Sequence, residues 1–282
     1  MKAYRYSGAG NTFVVADGRG ADCGALRQTE NIVRLCGEYN TDGLMILDNA
    51  EGYDFRMEYF NSDGSGGMMC GNGGRCIVAF ADFLGIIPAQ GQAYRFIAAD
   101  GVHSGVVTER NGDLKTVTIG MTDVRGATRY GWLDGLDGVE GWFINTGTRH
   151  FVTFVEDVEA VDVENLGSRI RRHPAFAPEG TNVNFVQPTA EGIKVRTFEK
   201  GCETETLACG TGIVASALVS YLTGKAPAVS LQFGGIRNWN YAVRAREDDL
   251  SVDFNEGSDG MLAVNVHLTG PALMTGAIDI IL

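Results

Sequence analysis

The chain has 282 residues, 44% of them hydrophobic, with mean hydropathy −0.03, net charge −12 and pI near 4.8. That length is enough for two domains of ordinary size, and the acidic balance argues against nucleic acid or an anionic membrane as the main partner. No apolar run approaches the roughly 18 residues of a membrane span, and six sparse cysteines without a CxxC pair fit reduced thiols rather than a disulfide scaffold or structural zinc.

In chain order, "KAYRYSGAGNTFVVADG" after Met1 reads as strand with a polar glycine turn, not as a secretory segment, so the expected location is cytoplasmic. Residues 23–39 have the spacing of an amphipathic helix, and 53–60 alternate, with Phe55, Met57 and Tyr59 opposite Asp54, Arg56 and Glu58. A second helix is predicted over 74–84, apolar on nearly every side. "LKTVTI" at 114–119 is a strand, 163–173 an amphipathic helix and "GIKVRTF" at 192–198 a strand. Residues 212–222 form another helix apolar all round. "YAVRA", "LSVDF" and "MLAVNVHL" are the last strand candidates. Asp17-Gly18, Asp63-Gly64, Asn111-Gly112 and Asp259-Gly260 mark turns. The whole is a strand-rich α+β pattern. The two all-apolar helices are too short to cross a membrane and belong inside the fold.

Those two helices also begin alike. The first follows Cys70-Gly71-Asn72-Gly73 and the second Cys209-Gly210-Thr211-Gly212, each with a glycine fifteen positions after its cysteine, Gly85 and Gly224. Asn11 lies 59 residues before Cys70, and His150 lies 59 before Cys209. One half-molecule, duplicated at a period near 139, predicts a pseudo-twofold protein. The duplication sorts the chemical readings. A cysteine-phosphatase loop needs an arginine six positions after the cysteine, where Cys76 stands, and Arg75 is one short. A P-loop needs Gly-Lys-Ser/Thr, which is absent. A metal site would need ligands that the second copy does not mirror. Cys23 and Cys36 suit a small-hydrophobe reading, and Cys76 and Cys202 a structural one. That reading does not explain a thiol recurring at the same helix start. There the helix dipole and unpaired N–H groups lower a thiol's pKa, and the glycines let an anion approach the backbone. Two such thiols aimed at one carbon from opposite faces would move a proton across it, one thiolate accepting and one thiol donating, while the N–H groups hold a carboxylate.

The pattern resembles the diaminopimelate epimerases. The likeness covers most of the chain and includes "YSGAGNTFVVAD", "NSDGSGGMMCGNGGRC", "NTGTRHFV", "EGTNVNFV", "FEKGCETETLACGTG" and "GPALMTGAIDIIL". It implies an isomerase with no cofactor and no metal that interconverts LL- and meso-diaminopimelate on the route to lysine and peptidoglycan. It also implies two similar barrels of mostly antiparallel strands, each around a central apolar helix: 1–122 plus 269–282 carrying Cys70, and 123–268 carrying Cys209. Cys70 and Cys209 would be the bases, with Glu199 and His150 beside them. Gly71, Asn72, Gly210 and Thr211 would hold the reacting carboxylate. Asn11, Asn61, Asn182 and Lys200 would read the ammonium and the distal carboxylate. The partner is then a small amino acid, and members of the family often pair as homodimers.

The chain departs from the family at Lys200, where an arginine is usual, and at Gly147-Thr148-Arg149-His150, where Gly-Asn-Pro-His is usual. Arg149 is the nearest replacement charge. Asn-Asp-Phe becomes Asn11-Thr12-Phe13, and Gly66-Gly67-Met68-Met69 is richer in glycine than usual. The alternatives are a racemase, epimerase or isomerase of the same fold acting on another carboxylate, such as proline or hydroxyproline, and a two-lobed binding relative without turnover.

Overall fold

The computed structural model describes all residues except 21, 67–69, 137, 234 and 282. The chain divides into two compact units, 1–120 with 269–282, and 121–268. Gly67, Met68 and Met69, from the glycine-rich stretch that precedes Cys70 in the sequence, lie outside the described residues.

The first unit is built from β1 (Lys2–Gly8), β2 (Asn11–Asp17), β3 (Gly43–Asp48), β4 (Phe55–Asn61), β5 (Tyr94–Ala98), β6 (Gly101–Asn111) and β7 (Leu114–Gly120), with helices α1 (Thr29–Tyr39) and α2 (Gly71–Phe83). Antiparallel pairs β1–β2, β3–β4, β5–β6 and β6–β7 alternate with parallel pairs β2–β3 and β4–β5. The last strand of the chain, Ala263–Asp279, pairs antiparallel with both β1 and β7 and closes an eight-stranded barrel. Closure removes the unpaired edges that an open sheet presents. Helix α2 runs inside, packed on β1, β2, β3, β6 and β7. On the outer side Leu26, Ile32, Leu35, Cys23 and Cys36 cover Val14, Ala16, Leu44 and Ile46. Because β2 and β3 are covered on both faces, they read as continuous apolar runs rather than alternating ones.

The second unit repeats this plan with β8 (Ala127–Tyr130), β9 (Gly141–Asn145), β10 (Arg149–Phe154), β11 (Asn182–Pro188), β12 (Ile193–Glu199), β13 (Thr204–Thr206), β14 (Val229–Phe233), β15 (Ile236–Arg244), β16 (Asp249–Glu256) and the start of β17 (Ala263–Asp279). The run β8-β9-β10-β11-β12-β15-β16 has parallel pairs at β10–β11 and β12–β15, the positions of the two parallel pairs in the first unit. Helix α4 (Gly210–Thr223) packs on β9, β10, β11, β12, β15 and β16. Val163 and Ile170 of α3 (Val163–Arg171) cover Phe151, Val183, Phe185 and Phe198 on the other face.

Both inner helices begin earlier than their apolar periodicity predicts, at 71 and 210 rather than 74 and 212. The glycine-rich stretch that reads as a turn is the first helical turn, and each cysteine is itself the N-cap residue, in extended conformation. The segment 23–39 starts with a short 3-10 turn, Ala25–Arg27, before α1.

Candidate active site

In the first unit the order of hydrogen bonds is set by a buried cation. Arg75, on α2, is completely buried. Its Nε donates to the Pro271 carbonyl at 3.3 Å and its Nη2 to Asn72 Oδ1 at 2.8 Å. A guanidinium only donates, so Asn72 must present its oxygen to Arg75 and its amide nitrogen to the other side. There Asn72 Nδ2 donates to Asn11 Oδ1 at 2.7 Å, and Asn11 Nδ2 donates to Asp42 Oδ2 at 3.3 Å. A polarised chain thus runs from Arg75 to Asp42 past the helix start that carries Cys70. Cys70 is half-buried, and neither it nor Cys209 makes a side-chain cap bond to its helix. The N–H groups of Gly71 and of Gly210 therefore point out of the helix ends as potential anion donors.

Asn61 stands apart from this chain. At the end of β4 it accepts from the Tyr59 hydroxyl at 2.9 Å and donates to Ser65 Oγ at 2.9 Å, inside the Asp63–Ser65 turn. Cys76 is fully buried, and burial pushes its thiol up to about 12, which makes it inert at neutral pH.

In the second unit the equivalent positions meet again. The residue two after the cysteine, Thr211, contacts the residue 59 before it, His150, at 2.9 Å, as Asn72 contacts Asn11. Thr211 Oγ1 lies 3.5 Å from Cys209 Sγ and 2.9 Å from Thr148 Oγ1, and Thr148 Oγ1 lies 2.8 Å from His150 Nε2. On the far side of the ring, Asn184 Nδ2 contacts His150 Nδ1 at 3.0 Å. Burial holds the imidazole down to about 3, so it is neutral at physiological pH. Glu199, at the end of β12, accepts from the Thr206 hydroxyl at 2.5 Å and shares a hydrogen bond with Cys209. Burial raises its carboxyl pKa against the pull of both bonds. A half-buried carboxyl with a raised pKa beside a helix-start thiol is a pair between which a proton can be held.

Cys209, Glu199, His150 and Thr211 form one cluster, with Gly210 in the same helical turn. Asn182 and Lys200 adjoin it through the backbone: Asn182 Oδ1 accepts from the Lys200 N–H at 2.8 Å, and its Nδ2 donates to the Arg149 carbonyl at 3.0 Å. Lys200 is exposed. Arg149 corrects an expectation. Successive residues of a strand face opposite ways, so where His150 faces α4, Arg149 turns outward. It pairs with Glu179 at 2.7 Å and lies 5.1 Å over the Phe143 ring, and it brings no charge to the cluster.

Thr148, Asn184, Thr206, Arg75 and Asp42 are members of these networks that sequence reasoning missed. Asn184 carried a signal: it shares a strand face with Asn182, two polar residues in a run otherwise apolar. Thr148 registers in the sequence only as the loss of an asparagine, and a hydroxyl's partners lie elsewhere in the chain.

Among the described residues no group of histidine, cysteine and carboxylate side chains is arranged to hold a metal, and no helix is long and apolar enough to cross a membrane. The family model for diaminopimelate epimerase matches residues 3–95 and 142–268. A diaminopimelate epimerase of Aquifex aeolicus is 45% identical over 236 residues, covering 79% of this chain and 82% of its own. That of Flavobacterium psychrophilum is 36% identical over 276 residues, covering 96% and 97%. Among solved structures, a Bacillus anthracis phenazine biosynthesis protein of the PhzF family superposes with TM-score 0.74 at 12% identity, covering 100% of this chain and 99% of its own. A hydroxyproline epimerase from Agrobacterium vitis does so with TM-score 0.64 at 17% identity, covering 99% and 90%. These two share the fold.

Proposed function

The chain belongs to the diaminopimelate epimerase family, and from that premise we propose that it interconverts LL- and meso-diaminopimelate by proton transfer at Cα between Cys70 and Cys209. The observation that carries the reading is the recurrence of one device in two units: a cysteine N-cap, a glycine-rich first turn, and a hydrogen bond between the residue two after the cysteine and the residue 59 before the cysteine. One thiolate removes the Cα proton. The electron pair left on carbon spreads into the α-carboxylate, where N–H groups of the two helix starts stabilise it. The other thiol delivers its proton to the opposite face, and the two sulfurs end with their protonation states exchanged. No cofactor enters this scheme. Glu199 and His150 set the protonation of Cys209, and Asn11, Asn61, Asn182 and Lys200 recognise the polar ends of the substrate.

Proton NMR of LL-diaminopimelate in deuterium oxide tests the reading with purified, reduced protein. Loss of the Cα–H signal with growth of the meso form is the expected result, and Cys70→Ser or Cys209→Ser should each slow it by about 100-fold or more. Exchange absent with both thiols reduced would exclude this substrate. A second reading, the same chemistry on another amino acid, draws on Lys200. An ammonium is a compact charge where a guanidinium would offer a planar fork to a distal carboxylate. Exchange with proline or hydroxyproline and not with diaminopimelate would favour it. No exchange with any of them would leave a binding relative without turnover.

A further inference from the structure

The amide of Asn184 is oriented by its surroundings. Its Nδ2 lies 3.2 Å from the Phe151 carbonyl oxygen, which can only accept, and its Oδ1 accepts from the Thr197 hydroxyl at 3.0 Å. The nitrogen therefore faces Phe151, and the same nitrogen donates to His150 Nδ1. A ring nitrogen that accepts carries no proton, so the neutral ring holds its proton on Nε2.

That proton fixes the next two. Nε2–H cannot accept from Thr148 or Thr211, and it donates to their oxygens. Two hydroxyl protons then have to be placed among Thr148 Oγ1, Thr211 Oγ1 and Cys209 Sγ. If Thr211 donated to Thr148, which is exposed, the Thr148 proton would turn out of the group to solvent and the sulfur would accept from neither hydroxyl. If Thr148 donates to Thr211, the Thr211 proton points at the sulfur, and every proton is accepted. We infer that Asn184 is a positioning residue: it locks His150 as the Nε2–H tautomer and thereby turns the Thr148 and Thr211 hydroxyls so that Thr211 donates to Cys209 Sγ and favours its thiolate. The side chain is admitted by Gly212, where a Cβ would lie 2.3 Å from Asn184 Oδ1. Among the described contacts, the titratable groups that meet Cys209 and the two threonines are His150 from β10 and Glu199 from β12. Glu199 works against the thiolate when charged, and the hydroxyl chain works for it.

The inference rests on Cys209 being a working base, as proposed above, but its test needs no substrate. Protein labelled with 15N-histidine has four histidines, 103, 150, 173 and 267. The His150 signal, identified by its loss in His150→Gln, should show the neutral Nε2–H form throughout pH 6–8 on the pH scale used for the titration, about the range in which an unperturbed ring would titrate. A proton on Nδ1, or an imidazolium, would overturn the inference without any variant at position 184. In Asn184→Asp a carboxylate would draw the proton to Nδ1, the hydroxyls would turn to Nε2, and alkylation of Cys209 at pH 7 should fall about tenfold or more, the effect of losing a hydrogen bond to a charged group. Asn184→Leu should lower it in the same direction without adding charge. Cys70, in the other unit, should keep its rate and report that the protein is folded. Unchanged Cys209 alkylation in both folded variants would reject the lock. Both readouts are taken without diaminopimelate, so a missing epimerase activity and a missing lock are separate results.

Discussion

His150 is held neutral in the folded protein, while the unfolded chain is free to protonate it. With the folded value pushed down to about 3 and an ordinary value of 6.5, the unfolded state binds the extra proton across that interval. The stability contributed is present above about pH 6.5 and is lost as pH falls, at up to roughly 1.4 kcal/mol per pH unit. Glu199 has the opposite sign. Its folded pKa is raised, so its contribution is present at low pH and lost as pH rises through the folded value. The unfolding midpoint of the wild type should therefore fall between pH 7 and pH 5, and His150→Gln should flatten that slope. A slope identical in the two proteins would mean that the ring is not the group responsible. At pH 8, Glu199→Gln should raise the midpoint by a few degrees while cutting turnover, because a partly desolvated carboxylate is replaced by a neutral amide of the same shape. A lower midpoint would show that the Thr206 and Cys209 bonds outweigh burial.

At the level of elements, the sequence made the inner helices and most strands legible for a simple reason. Apolarity on every side of 74–84 and 212–222 leaves no face for water, and alternation at 53–60 and 192–198 leaves one. The Asn111-Gly112 turn was legible too, since Gly112 takes φ +60 between β6 and β7. What was hidden depends on contacts across the fold. A glycine-rich stretch at a helix start looks like a loop until the barrel around it holds it helical. The passage of β17 through Gly270 and Pro271 runs against the usual exclusion of proline from strands, although the residues flanking it pair with β7. The two helix starts also differ in a way that one-letter code conceals. A Cβ on Gly212 would meet Asn184 Oδ1 at 2.3 Å, whereas one on Gly73 would meet the flexible ends of Met45 and Met57 at 3.2 and 3.3 Å. Gly212→Ala should destabilise by about 1–3 kcal/mol through that overlap. Gly73→Ala should lie near neutral, because the roughly 0.5–1 kcal/mol gained by alanine in a helix offsets a small displacement of methionine. Equal midpoints for the two variants in thermal unfolding would remove the asymmetry.

At the scale of the whole chain, sequence order and barrel order part company at one place. Seven of the eight staves of the first barrel lie within residues 2–120, and the eighth arrives from residues 269–279. Those residues pair with β1 from Lys2 to Ser7 and with β7 from Leu114 to Val117, and the Pro271 carbonyl is also an acceptor for Arg75. A chain ending at Leu268 would have both edges of this sheet open at once and would strip a buried guanidinium of a partner. Each effect is unfavourable alone, since open edges invite association and an unsatisfied buried charge costs several kcal/mol. The second unit keeps its run from β8 to β16 and its α3 layer in such a chain. Hydrogen exchange on residues 1–268 should therefore find the amides of β1 and β7 that face the missing strand unprotected, with those of β10 and β11 still slow. Adding a peptide of residues 269–282 should slow exchange in β1 and β7 together, because one strand closes both edges. Recovery of one edge without the other would mean that the barrel does not close as a unit.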